Sequence, residues 1–146
     1  MTLSVALRYR TRRPWAPGPN SLRSWATLAA GDRDAELGIR VVGSRESRVL
    51  NQRWRGRAGP TNVLSFPAAR TPGRRQLGDL VVCAPVVARE AREQGKALAA
   101  HWAHMIIHGT LHLLGYDHLR TADARRMEDR ERRLLARLGI GDPYGD

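Results

Sequence analysis

The sequence contains a single cysteine and no long hydrophobic run, and both scarcities narrow the class of protein. Cys83 is the only cysteine among 146 residues, so no disulfide can form within the chain, and its apolar neighbours predict a buried thiol. No segment approaches the roughly 20 apolar residues that span a bilayer, and residues 3–7 are too few for the core of a secretory signal. We therefore expect a cytoplasmic protein with no membrane partner, folded as one domain over residues 1–146.

Acidic residues and lysine are also scarce. The chain has 14 acidic residues against 25 basic ones, which gives a formal net charge of +11. Lys96 is the only lysine, so the other 24 basic residues are arginines. Codon composition can explain why arginine replaces lysine, but it does not explain the excess of basic over acidic residues. Because a positive field attracts polyanions, the charge indicates nucleic acid as a partner class without specifying a function.

Hydrophobic periodicity predicts strands and helices mixed along the chain. Short apolar or β-branched runs predict strands at residues 37–42, 62–66 and 77–84. Helices are predicted at residues 21–30, 44–54, 86–94, 98–114 and 121–138. Residues 12–20 contain three prolines and are expected to be irregular, whereas Val49, Leu50 and Leu138 are expected to face the core. The predicted class is α+β, with a small mixed β-sheet packed by helices.

Three histidines have the spacing of a metal site. His108 and His112 are four residues apart, so on a helix their imidazoles project from one face. Gly115 allows a left-handed turn that can bring His118 back toward the same ion. Three neutral imidazoles leave a tetrahedral zinc with one open position for water, as in catalytic sites. We predict one Zn²⁺ per chain on these histidines, although nickel, copper or iron would also accept imidazole ligands.

Residues near the trio raise further alternatives. His101 and His104 are expected at the helix surface or in contact with the ligand side chains, and His104, four residues before His108, could also be a ligand. Asp117 is expected either to orient a ligand imidazole or to stabilise the turn. The spacing matches the zinc peptidase pattern H-E-x-x-H-x-x-G-x-x-H, but Gly109 occupies the glutamate position. Without that glutamate no general base is available to activate water for peptide hydrolysis, so glycine at this position argues against a metallopeptidase.

The segment HGTLHLLGYDH, residues 108–118, resembles the signature of the YbeY family of bacterial rRNA-processing endoribonucleases. Other segments agree with that family: LNQRWRG at residues 50–56 with PTNVLSFP at 60–67, GDLVV at 78–82 and GDPY at 141–144. The similarity covers the chain from about residue 50 to its end, and little matches before residue 37. It implies one domain whose metal-binding helix, followed by a turn, is like that of the zincins.

The resemblance also implies an activity, a cofactor and partners. The activity is zinc-dependent cleavage of single-stranded RNA in 16S rRNA 3′-end maturation and ribosome quality control, with ribosomal RNA and the small subunit as partners. The implied metal ligands are His108, His112 and His118. The functionally important arginine of the family maps best to Arg55, which could clamp a phosphate through a bidentate contact. Arg55 and His108 are thus the candidate catalytic residues, and the candidate RNA contacts are Arg53, Arg57, Arg74 and Arg75.

A second class of function fits the same residues. In a non-catalytic ribosome-assembly factor the zinc would stabilise the fold and the basic surface would bind rRNA. The open coordination position favours catalysis, because it would have no purpose in a structural site. The general base stays open among a metal-activated water, a 2′-hydroxyl of the substrate and a group that the ribosome supplies.

Overall fold

The computed structural model describes residues 3–69, 73, 75–117 and 119–145. These residues contain four strands and five helices. In chain order they are β1 Ser4–Tyr9, α1 Pro19–Ala30, β2 Glu36–Val42, α2 Ser44–Arg55, β3 Val63–Pro67, β4 Gln76–Cys83, α3 Ala84–Glu93, α4 Leu98–Leu113 and α5 Thr121–Arg137. The predicted α+β class is confirmed.

The four strands form one mixed sheet in the order β1-β2-β4-β3. The first three run parallel, and β3 pairs antiparallel with β4. Strand β1 was not expected from the sequence, because its apolar run is short and is followed at once by arginines. Its half-buried residues Val5, Leu7 and Tyr9 nevertheless alternate with exposed ones, which is the period of an edge strand with one face on the core.

Three details of the helices differ from expectation. Helix α1 begins at Pro19, a residue expected to interrupt regular structure, because proline is well suited to the first helical turn. Val49 was expected to face the core but is 55% exposed, since α2 turns Ser47 and Asn51 inward instead. Leu138 was also expected inside; it is 37% exposed, because α5 ends one residue earlier.

Helix α4 lies at the centre of the molecule and is buried on two sides. Trp102 and Ile106 pack with residues of the sheet, whereas Ile107 and Leu111 pack against α5. On the opposite face of the sheet, α2 covers one end through Leu50, over a smaller cluster that includes the buried Cys83. Among the described residues, no helix combines the length and apolar character needed to cross a membrane.

Candidate active site

A cleft of about 770 Å³ lies between the C-terminal half of α4, strand β3 and the loop that follows α2. Five residues singled out in the sequence line it: Arg55, Arg57, His108, His112 and Asp117. The fold therefore brings segments more than 50 residues apart in the chain to a single depression that contains imidazole, guanidinium and carboxylate groups.

His108 and His112 lie side by side on α4. Their ring centroids are 4.7 Å apart and their ring planes are inclined by 81°. Both side chains are half-buried and line the cleft, as their spacing predicts. After α4, Gly115 has a φ of +101°, a conformation that glycine adopts without strain. His118 lies outside the described residues, so its role as the third ligand stays a prediction.

Glu131 of α5 connects the histidines to the interior. Its side chain is fully buried, and Oε1 accepts a hydrogen bond from Nδ1 of His108 at 2.6 Å. Oε2 accepts one from Nε2 of His104 at 2.8 Å and another from the hydroxyl of Tyr144. Because Nδ1 of His108 is bound to Glu131, a metal at this residue would be held through Nε2. A carboxylate behind the imidazole is the usual partner of a metal-bound histidine, so the arrangement fits a metal ion in the cleft.

The protonation states within this network follow from burial and hydrogen bonding. Burial raises the pKa of Glu131, but hydrogen bonds from His104, His108 and Tyr144 outweigh it and bring the pKa to about 2. Burial lowers the pKa of His104 despite the nearby carboxylate. Burial together with Glu131 raises the pKa of Tyr144, so its hydroxyl stays a donor. Near neutral pH Glu131 is therefore an ionised carboxylate that accepts a hydrogen bond from the protonated hydroxyl of Tyr144.

Among the described residues, donor atoms of His104, His108 and Glu131 lie within 4.8 Å of one another, so this group is positioned to bind a metal ion. The contacts of Glu131 at 2.6 and 2.8 Å are shorter than the separation of more than about 3 Å expected between two ligands that each lie about 2 Å from a tetrahedral zinc. In the present geometry the carboxylate therefore makes hydrogen bonds to the imidazoles. His108 belongs both to this buried hydrogen-bond network and to the cleft, because its Nδ1 contacts Glu131 and its side chain lines the cleft.

His101 and His104 are not at the helix surface, which corrects one of the two expectations for them. They are 3% and 7% exposed, and each contacts a glutamate of a neighbouring helix. Nε2 of His101 lies 2.9 Å from Glu90, and Glu90 accepts further hydrogen bonds from Nδ2 of Asn62 at 3.1 and 3.2 Å. Asn62 lines the cleft. Glu90 therefore fixes a polar group of the cleft from inside the fold.

Gly109 explains why the peptidase glutamate is absent. It is buried, and a Cβ atom built there would lie 2.8 Å from Cδ2 of Leu80 and 3.2 Å from Cγ2 of Val63. A side chain at position 109 would therefore meet the sheet and would not point into the cleft. The close approach is reinforced by the hydroxyl of Ser65, which donates to the carbonyl of Gly109 at 3.2 Å.

Helix α2 fixes the basic side of the cleft through buried polar groups. Nδ2 of Asn51 donates to the carbonyl of Gly59 at 2.9 Å. The hydroxyl of Ser47 donates to the carbonyl of Thr61 and accepts from the N–H of the same residue, both at 3.0 Å. These bonds tie the loop to the helix, and Arg55 is the last residue of that helix.

The other candidate residues have different surroundings. The guanidinium of Arg53 lies 5.6 Å from the ring centre of Trp54. Arg75 forms an ion pair with Asp34 and does not line the cleft. Arg74 lies outside the described residues. Asp117 accepts a hydrogen bond from the N–H of Leu119 at 3.1 Å, which supports the turn; its role in orienting an imidazole stays a prediction.

Comparison with known proteins identifies the family. A model of the Endoribonuclease YbeY family matches residues 20–139. The chain therefore belongs to the YbeY family. A protein named Endoribonuclease YbeY from Halorhodospira halophila is 57% identical over 136 residues, covering 88% of this chain and 88% of the relative. Another with that name, from Stenotrophomonas maltophilia, is 52% identical over 150 residues, covering 97% and 93%.

The YbeY family is one of RNA-cleaving hydrolases, so this member is an enzyme of that class. The solution structure of a protein from Thermotoga maritima shares the fold, with a TM-score of 0.63 at 24% identity over 97% of this chain and 99% of that one. At that identity the likeness supports the fold alone.

Sequence reasoning missed Glu131, although the spacing contains a signal for it. Met127, Glu131 and Leu135 are four residues apart in succession, so they lie on one stripe of α5. The other two members of that stripe are apolar, and all three are buried. An acidic residue in the middle of an apolar stripe indicates a buried carboxylate with partners on the facing helix.

Proposed function

We propose that this YbeY family member is a zinc-dependent, single-strand-specific endoribonuclease that acts in 16S rRNA 3′-end maturation and ribosome quality control. The proposal includes rRNA and the small ribosomal subunit as its partners and the cytoplasm as its location. The observation that carries it is a single cleft lined by the paired imidazoles of α4, by Arg55 at the end of α2 and by Arg57 in the loop that follows. The curated relatives carry the name endoribonuclease, which supports RNA as the substrate.

The proposed metal ligands are His108, His112 and His118. A zinc ion held there would act as a Lewis acid toward a phosphoryl oxygen of the RNA. Glu131 fixes the ring orientation and tautomer of His108, because an ionised carboxylate can only accept a hydrogen bond. The ring nitrogen that faces Glu131 therefore carries the proton.

Arg55 and Arg57 are the proposed phosphate contacts. Both are exposed residues that line the cleft. A guanidinium can hold a phosphate through two parallel charge-assisted hydrogen bonds and offset the charge that develops during cleavage. Strand β3 and the loop before it contribute Asn62, whose side chain Glu90 holds in place. A phosphodiester bound in the cleft would thus have Arg55 and Arg57 on one side and the histidines of α4 on the other.

The experiment uses the purified protein and a labelled single-stranded RNA that spans a 16S 3′ end, beside the same segment as a duplex. Wild type is compared with His108→Ala and Arg55→Ala, and the zinc content is measured on the same samples. Arg126→Ala is the matched control, because Arg126 is an arginine of α5 that lies outside the cleft and is 73% exposed in its side chain.

We expect wild type to hold one zinc per chain and to cut the single strand but not the duplex. His108→Ala should lose both zinc and cleavage. Arg55→Ala should keep zinc and lose cleavage by about a hundredfold, while Arg126→Ala stays unchanged. Equal cleavage by every variant would mean that the activity is a contaminant. Folded, zinc-loaded wild type that binds this RNA without cutting it would instead favour a non-catalytic assembly factor.

A further inference from the structure

The sheet face opposite α4 has a second depression beside the cleft. Ala6, Gly38, Asp79 and Phe66 are aligned across the four strands in register, one residue from each. Ala6 and Gly38 have almost no side chain, and α2 leaves this part of the face open while lining it with Leu50 and Trp54. The result is a cavity of about 280 Å³, the sheet cavity, lined by this row together with Trp54 and other residues of the neighbouring strands.

Trp54 forms an aromatic wall between the sheet cavity and the cleft. It is 61% exposed, although most tryptophans are largely buried. Its ring is fixed from two sides, because it meets Phe66 edge-on at 6.1 Å and Arg53 lies 5.6 Å from its centre. Both aromatic residues line both depressions. A single-stranded RNA that leaves the cleft across Trp54 would therefore enter the sheet cavity directly.

The polar groups of the sheet cavity complement a nucleotide. Arg8 and Arg40 are each two residues further along their strands than Ala6 and Gly38, so they lie on the same face, and both line the cavity. Glu46 pairs with Arg40 at 3.2 Å, so Arg8 supplies the larger share of the positive field. The carboxylate of Asp79 lies directly over Gly38, so close that a Cβ atom built on that glycine would collide with Oδ1. It could accept a hydrogen bond from the amino group of a base.

We infer that the sheet cavity binds one unpaired nucleobase of the RNA whose phosphate lies in the cleft, and that Trp54 is its stacking surface. The inference rests on the proposed function and extends it. Stacking on an aromatic ring tolerates any base, since every base has a π-face. A base in a duplex is already paired and stacked, so it cannot enter. The sheet cavity would thus contribute to selection of single strands, independently of the metal.

The test measures binding of the metal-loaded, full-length protein to a short unstructured RNA by fluorescence anisotropy, with the RNA checked for integrity afterwards. A single 2-aminopurine is moved along the strand, because stacking quenches its fluorescence. Trp54→Ala removes the stacking surface and Trp54→Phe keeps an aromatic ring. Ala6→Phe fills the sheet cavity from an exposed position of the edge strand and leaves the cleft unchanged. Trp15→Ala is the control, because Trp15 is also exposed, at 41%, but lines neither depression.

In wild type we expect quenching at one position of the strand. Trp54→Ala and Ala6→Phe should each weaken binding about tenfold and abolish that quenching. Trp54→Phe and Trp15→Ala should bind within about twofold of wild type, and circular dichroism should show that all variants are folded. If wild type binds RNA and folded Trp54→Ala and Ala6→Phe bind equally well, the base site is wrong while the proposed function stands. If wild type binds no single-stranded RNA, both the base site and the proposed function are wrong.

Discussion

Replacement of Glu131 should lower both the free energy of unfolding and the affinity for zinc, and the two losses can be measured separately. Glu131→Ala leaves three donors without their acceptor, and their exposure decides the cost. Tyr144 is 42% exposed and the side chain of His108 is 22% exposed, so water can replace the carboxylate there in part. The side chain of His104 is only 8% exposed, and without the carboxylate its N–H would have only the Tyr144 hydroxyl, at 3.2 Å, as an acceptor, so it comes close to a buried unsatisfied donor. One such group costs about 1–3 kcal/mol, and the lost packing brings the expected destabilisation to about 2–4 kcal/mol.

The measurement is urea unfolding of metal-free protein, so that zinc binding does not enter the free energy of unfolding. Glu131→Gln keeps the shape and one carbonyl acceptor, so we expect about half the loss. Zinc affinity is then measured by competition with a chromophoric chelator. Loss of a hydrogen-bond partner behind a ligand typically costs about 10–100-fold in metal affinity, and Glu131→Ala should fall in that range.

Glu128→Ala is the matched control, since Glu128 lies on the same helix and forms an ion pair with Arg132 at 3.7 Å in which both side chains are 35% exposed. Exposed pairs of this kind contribute about 0–1 kcal/mol. If Glu131→Ala unfolds within about 0.5 kcal/mol of wild type, the carboxylate network contributes no stability. If the variant is destabilised but binds zinc with wild-type affinity, Glu131 supports the fold without orienting His108.

Three further predictions concern the surroundings of the cleft. Gly109→Ala should destabilise the protein by about 1–3 kcal/mol in chemical unfolding, because the new methyl group would meet Leu80; an unchanged midpoint would contradict the close packing. Burial opposes ionisation of Glu90, but hydrogen bonds outweigh it and lower its pKa below 4.5, so its stabilisation is present above that pH and lost as the pH falls through the folded pKa. Wild type should therefore lose its stability advantage over Glu90→Gln on acidification, and a constant difference would refute this. Asn51→Ala should release the loop at Gly59 and speed amide hydrogen exchange at residues 57–61; unchanged exchange there would show that the bond does not restrain it.

The sequence predicted the elements that carry strong periodicity and the residues that share one helix face. His108 and His112 could be paired from their spacing alone, because 3.6 residues per turn places positions i and i+4 together. Their proximity to Arg55 could not be derived from spacing, since it depends on how β3 and α4 pack. That packing places Gly109 of α4 against Val63 of β3 and Leu80 of β4, a detail of volume that a single sequence does not display.

The errors have physical causes of the same kind. Val49 was expected inside because it is apolar, but α2 uses its inward positions for Ser47 and Asn51, which satisfy backbone groups of a loop. Buried backbone groups need hydrogen-bond partners, and that requirement outweighed the burial of one valine. Strand β1 was missed because an edge strand with one buried face needs few apolar residues. Its pairing with β2 supplies the hydrogen bonds that its composition does not indicate.

The end of the described chain contributes to the site without supplying a metal ligand. The hydroxyl of Tyr144 donates to Glu131, while Oδ1 of Asp142 accepts the N–H of Tyr144 at 2.8 Å. Oδ2 of Asp142 accepts a hydrogen bond from Nε of Arg132, also at 2.8 Å, so residues 141–144 are tied back to α5. A fully buried carboxylate is stable as an anion only if its oxygens meet donors, and α4 supplies two of them. The hydroxyl of Tyr144 supplies the third, so the GDPY segment and the histidine segment meet at one carboxylate although 22 residues separate them.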